Sequence, residues 1–346
     1  MFQRPYILFF LLTMEVCFSH ATLTSRCHPP VMMAAAKSKA RRGKGKTSSA
    51  KAAKSTFGGF GAQPKVLSIP TLKLSTGASI PAVGFGTYTI GGEALRKALD
   101  HAIATGYRHF DTARAYQNEA VVGAAIAASG LPREDFFITS KLWGTDHGEG
   151  RARRAIEASL SELGTEYVDL MLIHGPDNFG SSAEEKCTLR QETWRVLEEF
   201  HAAGTLCAIG CSNFEPRHIG SLMESGSVMP AVNQIEMHAY LAQGAVRAYC
   251  AEHDILVTAY GSVGAKGLRA DPVVQSIAAA HKRTPAQVSL RHSLQRGAAV
   301  LCRSTTPKRI TENGQLFDFE LSREEVAALD ALDVGTRSYW DNTKVP

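Results

Sequence analysis

The chain has 346 residues, 44% of them hydrophobic, so it can bury a sizeable core. This length exceeds the usual size of one domain but is compatible with an α/β barrel. The formal charge of +5 arises in residues 1–64, which hold ten Lys or Arg and one acid, whereas the remainder holds 28 basic and 32 acidic residues. This mildly acidic remainder gives no reason to expect a nucleic acid partner.

The first 64 residues have the composition of an unfolded, two-part targeting leader. Arg4 precedes an apolar run over 6–14, and small residues at 19–21 follow at the spacing of a signal-peptide cleavage site. The run is too short for a membrane span, so we expect no membrane association of the mature form. Segment 26–65 is rich in Ala, Ser, Lys and Arg, and acids are absent from Val16 to Gly92, as in transit peptides. We predict import into a plastid through the secretory route, with secretion or a mitochondrial location as open alternatives.

Residues 65–346 are predicted to form one α/β domain, because strand-like apolar runs alternate with helical spacing throughout. A short N-terminal β-hairpin is expected from 74–77 and 79–83. The predicted strands are 83–87, 107–111, 136–142, 168–174, 206–211, 231–236, 255–260 and 298–302. The predicted helices are 93–104, 119–129, 149–163, 187–203, 215–224, 243–253 and 271–296.

Eight strands that are each followed by a helix indicate parallel pairing and, at this length, a (β/α)8 TIM barrel. The other common α/β architecture is a doubly wound sheet that binds dinucleotides. Its fingerprint G-x-G-x-x-G is absent, because Gly84-Phe-Gly86 continues as Thr-Tyr-Thr. No second domain is predicted.

Four residues with chemical potential follow three successive predicted strands. Asp111 ends the second strand and Tyr116 lies just beyond it, Lys141 lies at the end of the third, and His174 ends the fourth. Each alone could be an ordinary polar residue at a strand end. Because barrel enzymes build their sites at the C-terminal ends of the strands, we expect all four to face one rim and to form a catalytic site.

The tyrosine needs a cationic neighbour to act in catalysis near neutral pH, because the ordinary pKa of a phenol is about 10. A unit charge about 4 Å away, at an effective dielectric near 20, interacts by roughly 4 kcal/mol, which could bring that pKa to about 7. We therefore predict that Lys141 lowers the pKa of Tyr116 and that Asp111 keeps Lys141 charged.

The cysteines give no sign of a disulfide framework or a metal site. Two of the seven lie in the leader, and the other five form neither a CxxC pair nor a cluster with His. We predict no structural disulfide and no metal. The cysteines are Cys17, Cys27, Cys187, Cys207, Cys211, Cys250 and Cys302.

A series of motifs, in this order, resembles the aldo-keto reductase family from about residue 74 to the C-terminus. They are Gly106-Tyr-Arg-His-Phe-Asp-Thr-Ala with Tyr116-Gln-Asn-Glu119, Ser140-Lys-Leu-Trp143, Val168-Asp-Leu-Met-Leu-Ile-His174, Gly210-Cys-Ser-Asn-Phe214, Val232-Asn-Gln-Ile-Glu236, Arg303-Ser304 and Arg309-Ile-Thr-Glu-Asn313. The resemblance implies hydride transfer from a nicotinamide to a small carbonyl substrate. Tyr116 would donate the proton, Lys141 and Asp111 would tune it, and His174 would orient the carbonyl.

The resemblance also implies a set of cofactor residues. Ser212, Asn213 and Gln234 would hold the nicotinamide carboxamide, and Tyr260 would stack on the ring. The remaining residues expected at the cofactor are Gly86, Thr87, Asp111, Glu312 and Asn313, the last two at the adenine.

A cationic, hydroxyl-rich cluster follows the last predicted strand, where barrels often bind phosphate. Its members are Arg303, Ser304, Thr306 and Arg309. Two guanidinium groups suit the extra phosphate of NADP, so we predict a preference for NADPH over NADH.

The chain departs from the family pattern at several positions. Gly175 stands where many relatives carry a tryptophan, which would widen the pocket, and Gly261-Ser-Val replaces Ser-Pro-Leu after Tyr260. Cys302 and Arg303 replace Pro-Lys. Arginines could lower the pKa of the Cys302 thiol and make it redox-sensitive, although a buried inert thiol is the alternative.

Aromatic and small residues on the rim loops suggest an apolar carbonyl substrate, although they could equally pack the barrel top. The pocket candidates are Tyr88, Ala115, Trp143, Gly175, Phe179 and Trp340. We expect a monomeric NADPH-dependent carbonyl reductase. The alternatives are a nicotinamide-binding regulatory or scaffold barrel without turnover, and an unrelated phosphate-binding barrel isomerase.

Overall fold

The computed structural model describes residues 66–346, so the predicted leader and its boundary lie outside the described residues. Within this range, eight parallel strands close into a barrel with helices between them, which confirms the predicted (β/α)8 fold. The barrel is preceded by the strands β1 (Thr71–Lys73) and β2 (Ser79–Pro81). The barrel strands are β3 (Val83–Gly86), β4 (His109–Asp111), β5 (Phe137–Leu142), β6 (Leu170–Ile173), β7 (Ile209–Ser212), β8 (Val232–Glu236), β9 (Leu256–Tyr260) and β10 (Ala299–Cys302).

Each barrel strand pairs with the next one along the chain, and β10 closes the ring against β3. The helices described are α1 (Gly92–Thr105), α2 (Glu119–Ala128), α3 (Glu149–Leu163), α4 (Ala183–Ala202), α5 (Pro216–Met223), α6 (Gly244–Glu252), α7 (Pro272–His281), α8 (Pro285–Gln295), α9 (Pro307–Gly314) and α10 (Arg323–Asp330). Among the helices of residues 66–346, none has the length and apolar character needed to cross a bilayer.

The predicted N-terminal hairpin is present, but the position predicted for its first strand, 74–77, is wrong. β1 ends at Lys73, and 74–77 forms the turn, where Gly77 adopts the left-handed φ of 84° and donates its backbone N–H to Leu74 O at 2.9 Å. Leu74 and Ile80 pack against Phe137 and other residues at the N-terminal ends of the barrel strands. The hairpin therefore closes the N-terminal end of the barrel, opposite the predicted rim.

The single long helix predicted over 271–296 is wrong, because two helices occupy this range. α7 ends where Lys282 adopts a left-handed φ of 54°. Thr284 then caps α8 in a reciprocal pair with Gln287, and Pro285 takes the first helical position. Thr-Pro-x-Gln is a helix-start pattern, since proline lacks the N–H that a helix interior requires. The continuous apolar spacing concealed this break.

Candidate active site

The four predicted catalytic side chains come together at the C-terminal rim. Asp111 is the last residue of β4, and Tyr116 ends the short 3-10 helix Arg114–Tyr116 that follows. Lys141 is the penultimate residue of β5, and His174 directly follows β6. Parallel neighbouring strands therefore deliver all four to one side of the barrel.

Lys141 lies between the carboxylate and the phenol. Its Nζ donates hydrogen bonds to Asp111 Oδ1 at 2.6 Å and to Thr112 O at 2.9 Å, and lies 3.4 Å from Tyr116 Oη. The Tyr116 oxygen is also 3.4 Å from His174 Nε2. One phenolic oxygen is thus flanked by an ammonium and an imidazole.

The prediction that Lys141 lowers the pKa of Tyr116 is wrong for this arrangement. Burial raises the pKa of the phenol well above its usual value, and the negative charge of Asp111 raises it further. Burial also lowers the pKa of Lys141, while Asp111 opposes that shift. The physical reason is that a phenolate loses its hydration in this buried position, and the Asp111 charge adds to that cost. Tyr116 is therefore protonated at neutral pH and can act as a proton donor.

His174 is a neutral imidazole in this setting. Burial lowers its pKa well below the usual value, and the neighbouring charge of Lys141 lowers it further. Among the described residues, its Nδ1 has no hydrogen-bond partner. The rings of Trp143 and Trp340 stand edge-on to it, with centroids at 5.0 and 5.4 Å. These rings exclude water from one side of the imidazole.

A chain of amide and hydroxyl contacts connects Asp111 to the neighbouring strands. Gln234 Nε2 donates to Asp111 Oδ2 at 2.8 Å, so both carboxylate oxygens have a donor. Ser212 Oγ donates to Gln234 O at 2.8 Å. These contacts fix the carboxylate that holds the lysine.

Asn213 connects the histidine to the aromatic side of the site. Its backbone has a left-handed φ of 64°, which asparagine tolerates better than most residues. Its Nδ2 donates to His174 O at 2.9 Å, and its Oδ1 accepts from Tyr260 Oη at 2.7 Å. The backbone turn therefore places one amide between the imidazole loop and the predicted stacking ring.

Three of the four predicted catalytic residues, Asp111, Tyr116 and His174, line a cleft that we call the main cleft. Most of the predicted cofactor residues line it. Those residues are Gly86, Asp111, Ser212, Asn213, Gln234, Tyr260 and Arg303.

A second cleft adjoins the main cleft, because Val263 and Arg303 line both. We call it the basic cleft. It contains the predicted residues Ser304, Arg309, Glu312 and Asn313, together with Arg269 and Gln275, which were not among the predicted site residues. Arg269 lies on the short 3-10 helix Leu268–Ala270 in the long loop after β9, where no periodic pattern points to a site. The two clefts together form an elongated trough.

Two predicted cofactor residues do not line either cleft. The Thr87 hydroxyl is turned inward, where it donates to Asp111 O at 2.9 Å and lies 3.4 Å from Asn118 Oδ1. Thr306 is exposed at the start of α9, and its backbone N–H donates to Ser304 Oγ at 3.0 Å. Thr87 therefore supports the Asp111 strand end, and Thr306 supports the fold of the basic loop.

The predicted pocket residues lie around the other side of the catalytic group. A cavity in front of Tyr116 and His174 is lined by Tyr88, Ala115, Trp143 and Trp340. Arg114 and Asp146, which were not among the predicted site residues, add polar groups to it. Gly175 and Phe179 line a neighbouring cavity that Trp143 and Trp340 also border. A Cβ added at Gly175 would meet no atom within 4 Å. The space beside His174 is therefore open, as predicted from the glycine at position 175.

The Cys302 thiol is buried and unreactive. Its Sγ lies 3.3 Å from Tyr107 Oη and 3.5 Å from Gly84 O, and burial raises its pKa to about 11. The suggestion that arginines lower the pKa of this thiol is therefore wrong. In the described part of the chain, no group of three or more His, Cys, Asp or Glu is placed to hold a metal ion.

Comparisons with known proteins find the same family in a family model and in curated relatives. The family model described as Aldo/keto reductase family matches residues 82–334. An aldo-keto reductase of Mycolicibacterium smegmatis is 41% identical over 268 residues, which cover 78% of this chain and 95% of that protein. Aldo-keto reductase family 1 member A1 of Bos taurus is 39% identical over 290 residues, which cover 76% of this chain and 89% of the relative.

Two solved structures share the fold at similar identity. An aldo/keto reductase from Brucella melitensis matches with a TM-score of 0.73 and 39% identity, over 78% of this chain and 99% of that one. The aldose reductase from Schistosoma japonicum matches with a TM-score of 0.72 and 37% identity, over 78% and 94% of the respective chains. On the family match over residues 82–334 and the relatives of about 40% identity, the chain belongs to the aldo/keto reductase family.

Proposed function

We propose that this oxidoreductase reduces aldehydes or ketones to alcohols with NADPH, and that Tyr116 is the general acid. Membership of the aldo/keto reductase family supports carbonyl reduction. One observation carries the finer proposal: the Tyr116 phenol lies 3.4 Å from both Lys141 Nζ and His174 Nε2, at the base of a long trough. A protonated phenol, an ammonium and a neutral imidazole around one point suit an oxygen that gains negative charge.

The trough has the chemistry that a phosphorylated dinucleotide requires. Ser212, Asn213 and Gln234 present hydroxyl and amide groups at the catalytic end, beside the ring of Tyr260. Three arginines line the basic cleft, where guanidinium groups suit the phosphate that distinguishes NADPH from NADH. These are Arg269, Arg303 and Arg309. Bound NADPH would supply a hydride.

The first role of the protein is to orient the carbonyl and protonate its oxygen. His174, as a neutral imidazole with its proton on Nε2, donates a hydrogen bond to the carbonyl oxygen and sets its position. Tyr116 gives its phenolic proton to the same oxygen as charge develops there. Its raised pKa keeps that proton in place until the reaction consumes it.

The second role belongs to the buried ion pair. When Tyr116 loses its proton, the phenolate is left beside the Lys141 ammonium, and an attraction of roughly 4 kcal/mol at about 4 Å stabilises it. Asp111, with Gln234 on its other oxygen, keeps the lysine in place and charged. Burial thus favours the neutral phenol before proton transfer, and the Lys141 ammonium offsets part of the cost of the phenolate after it.

The substrate side of the proposal is an apolar carbonyl compound. Aromatic rings from Tyr88, Trp143 and Trp340 border the space in front of the catalytic group, and Gly175 leaves the space beside it open. Such walls favour substrates with sizeable apolar groups. Arg114 and Asp146 add one polar edge.

The deciding experiment follows NADPH absorbance with a panel of aldehydes and ketones for the wild type and Tyr116→Phe. We expect turnover by the wild type, and a kcat that falls by about 10²–10⁴-fold in Tyr116→Phe because the proton donor is lost. Tyr249→Phe is the control, because Tyr249 lies on α6 and lines neither the main cleft nor the basic cleft. A wild type that binds NADPH but consumes none with any carbonyl would instead support the scaffold function.

We also propose that residues 1–64 direct the protein to a plastid through the secretory route, and that the mature form is a monomer. The first proposal is supported by the composition of the leader, which lies outside the described residues. Imaging a fusion to the native N-terminus tests it, and export of the fusion from the cell would contradict it. Light scattering of the mature protein tests the second.

A further inference from the structure

The C-terminal tail, defined here as residues 337–346, lies across the mouth of the barrel and places two adjacent aromatic rings in different parts of the site. Tyr339 lines the main cleft beside Tyr260, with ring centroids 5.5 Å apart. Trp340 borders the main cleft, the cavity in front of Tyr116 and the neighbouring cavity beside Gly175, and we call the last two the substrate cavities. One short segment therefore contacts the space for each ligand.

A buried carboxylate at a strand end holds this segment. Glu236 is the last residue of β8 and only 1% of its surface is exposed. Its Oε1 accepts from Ser338 N at 2.8 Å and from His238 Nε2 at 2.9 Å, and its Oε2 accepts from Tyr339 N at 3.2 Å. A buried carboxylate is costly unless it is hydrogen-bonded, and two of its three donors belong to the tail. The docked tail thus supplies two of the hydrogen bonds that the buried Glu236 carboxylate needs.

Further contacts fix the tail on both sides of the two rings. On one side, Arg337 Nη2 lies 3.3 Å from both Glu215 Oε1 and Gln243 Oε1. On the other side, Arg217 Nη2 donates to Thr343 O and Val345 O, each at 2.8 Å. The rings are therefore carried on a segment that is attached at both ends.

The loop after β9 provides a seat for Tyr339. Gly261 has a left-handed φ of 72°, and a Cβ there would lie 2.9 Å from Tyr339 Cε2. A Cβ on Gly264 would lie 2.6 Å from the Tyr339 hydroxyl oxygen. Side chains at these positions would displace the ring. The absence of side chains at Gly261 and Gly264 therefore leaves room for Tyr339 in the main cleft.

We propose that Glu236 is a positioning residue, which docks the tail so that Tyr339 closes over the coenzyme and couples coenzyme release to the segment that carries Trp340. The inference rests on the proposed function, because it places NADPH in the main cleft. Coenzyme can leave the closed cleft only after Tyr339 moves. Movement of the adjacent Trp340 opens the substrate cavities at the same time.

The test measures coenzyme release directly, without turnover. NADPH-loaded protein is mixed with excess NADP, and the loss of bound NADPH fluorescence gives the dissociation rate for wild type, Glu236→Gln, Tyr339→Ala and Tyr339→Phe. We expect both Tyr339→Ala and Glu236→Gln to release NADPH about tenfold faster. Tyr339→Ala removes the aromatic contact with the coenzyme, and Glu236→Gln weakens the hydrogen bonds that hold the ring there. Tyr339→Phe keeps the ring and should remain within about twofold of the wild type.

Glu325→Gln is the matched control. Glu325 also accepts hydrogen bonds from a histidine, His281, and from a backbone N–H, that of Ser322, but it lies on α10 and does not line the main cleft. It should release NADPH at the wild-type rate. A second readout is tryptic cleavage after Arg337, which NADPH should slow in the wild type and not in Tyr339→Ala.

The outcomes separate this inference from the proposed function. If Tyr339→Ala and Glu236→Gln both release NADPH at the wild-type rate, the positioning role is overturned and the carbonyl reductase proposal stands. A wild type that binds no NADPH overturns the proposed function itself. Lower thermal stability of Glu236→Gln with an unchanged release rate would assign Glu236 a purely structural role and likewise overturn the inference.

Discussion

The two ends of the trough handle charge in opposite ways. At the catalytic end, Lys141 and Asp111 are buried, and each has its partner within hydrogen-bond distance. At the basic end, Arg303 and Arg309 are exposed to solvent. Buried charges hold a fixed geometry and protonation state, whereas exposed charges provide an attraction that water and salt attenuate. The proposed chemistry and the proposed coenzyme preference therefore depend on regions that can be disrupted separately.

The largest expected effect lies at the buried end. Lys141→Met should lower the free energy of unfolding by about 3–5 kcal/mol, because the Asp111 carboxylate remains buried without its cation. Urea denaturation followed by circular dichroism measures it. Lys97→Met is the control, since Lys97 pairs with Glu93 in solvent and its loss should change little. Equal losses in both variants would refute the contrast between the ends.

The next effect concerns coenzyme preference at the exposed end. Arg309→Met should raise the Kd for NADPH about 30-fold and leave the Kd for NADH within about twofold, because only NADPH carries the additional phosphate. Lys308→Met is matched to it, since Lys308 is the preceding residue of α9 and does not line the basic cleft. Isothermal titration measures both constants. Equal weakening of the two coenzymes would place the phosphate elsewhere.

Salt should separate the two ends without a mutation. Raising the salt concentration from 0.05 to 0.5 M should weaken NADPH binding by about tenfold, because exposed guanidinium groups are screened. At saturating coenzyme, kcat should change by less than about twofold, because the buried pair is shielded from ions. A kcat that falls in parallel with affinity would show that the catalytic end is open to salt.

The smallest effect is expected from mild acid. Because the pKa of His174 is lowered by burial and by Lys141, the imidazole stays neutral well below pH 6.5. The phenol of Tyr116, whose pKa is raised, is protonated over the same range. We therefore expect kcat to vary by less than about twofold between pH 7.5 and 6.0. A loss of activity with a midpoint near pH 6.5 would mean that His174 titrates as an exposed histidine.

The sequence was sufficient for the barrel and for the meeting of Asp111, Tyr116, Lys141 and His174 at one rim, because both depend on order along the chain. Alternating strands and helices fix parallel pairing, and residues at strand ends must share one rim, as Asp111 and His174 do. The sign of the Tyr116 pKa shift was missed, since it depends on burial and on the distance to Asp111. Arg269 and Glu236 were missed for a similar reason. Arg269 lies in a loop without a periodic pattern, and the backbone donors to Glu236 come from a tail about one hundred residues away.

The position of the hairpin has a practical consequence. Leu67 N donates to Thr105 O at the end of α1, so the described chain enters the molecule at the closed end of the barrel. The mouth with its tail faces the other way. Anchoring the protein to a sensor surface through a tag placed ahead of residue 66 would therefore present the trough to the solution, so that ligand exchange can be recorded on immobilised molecules.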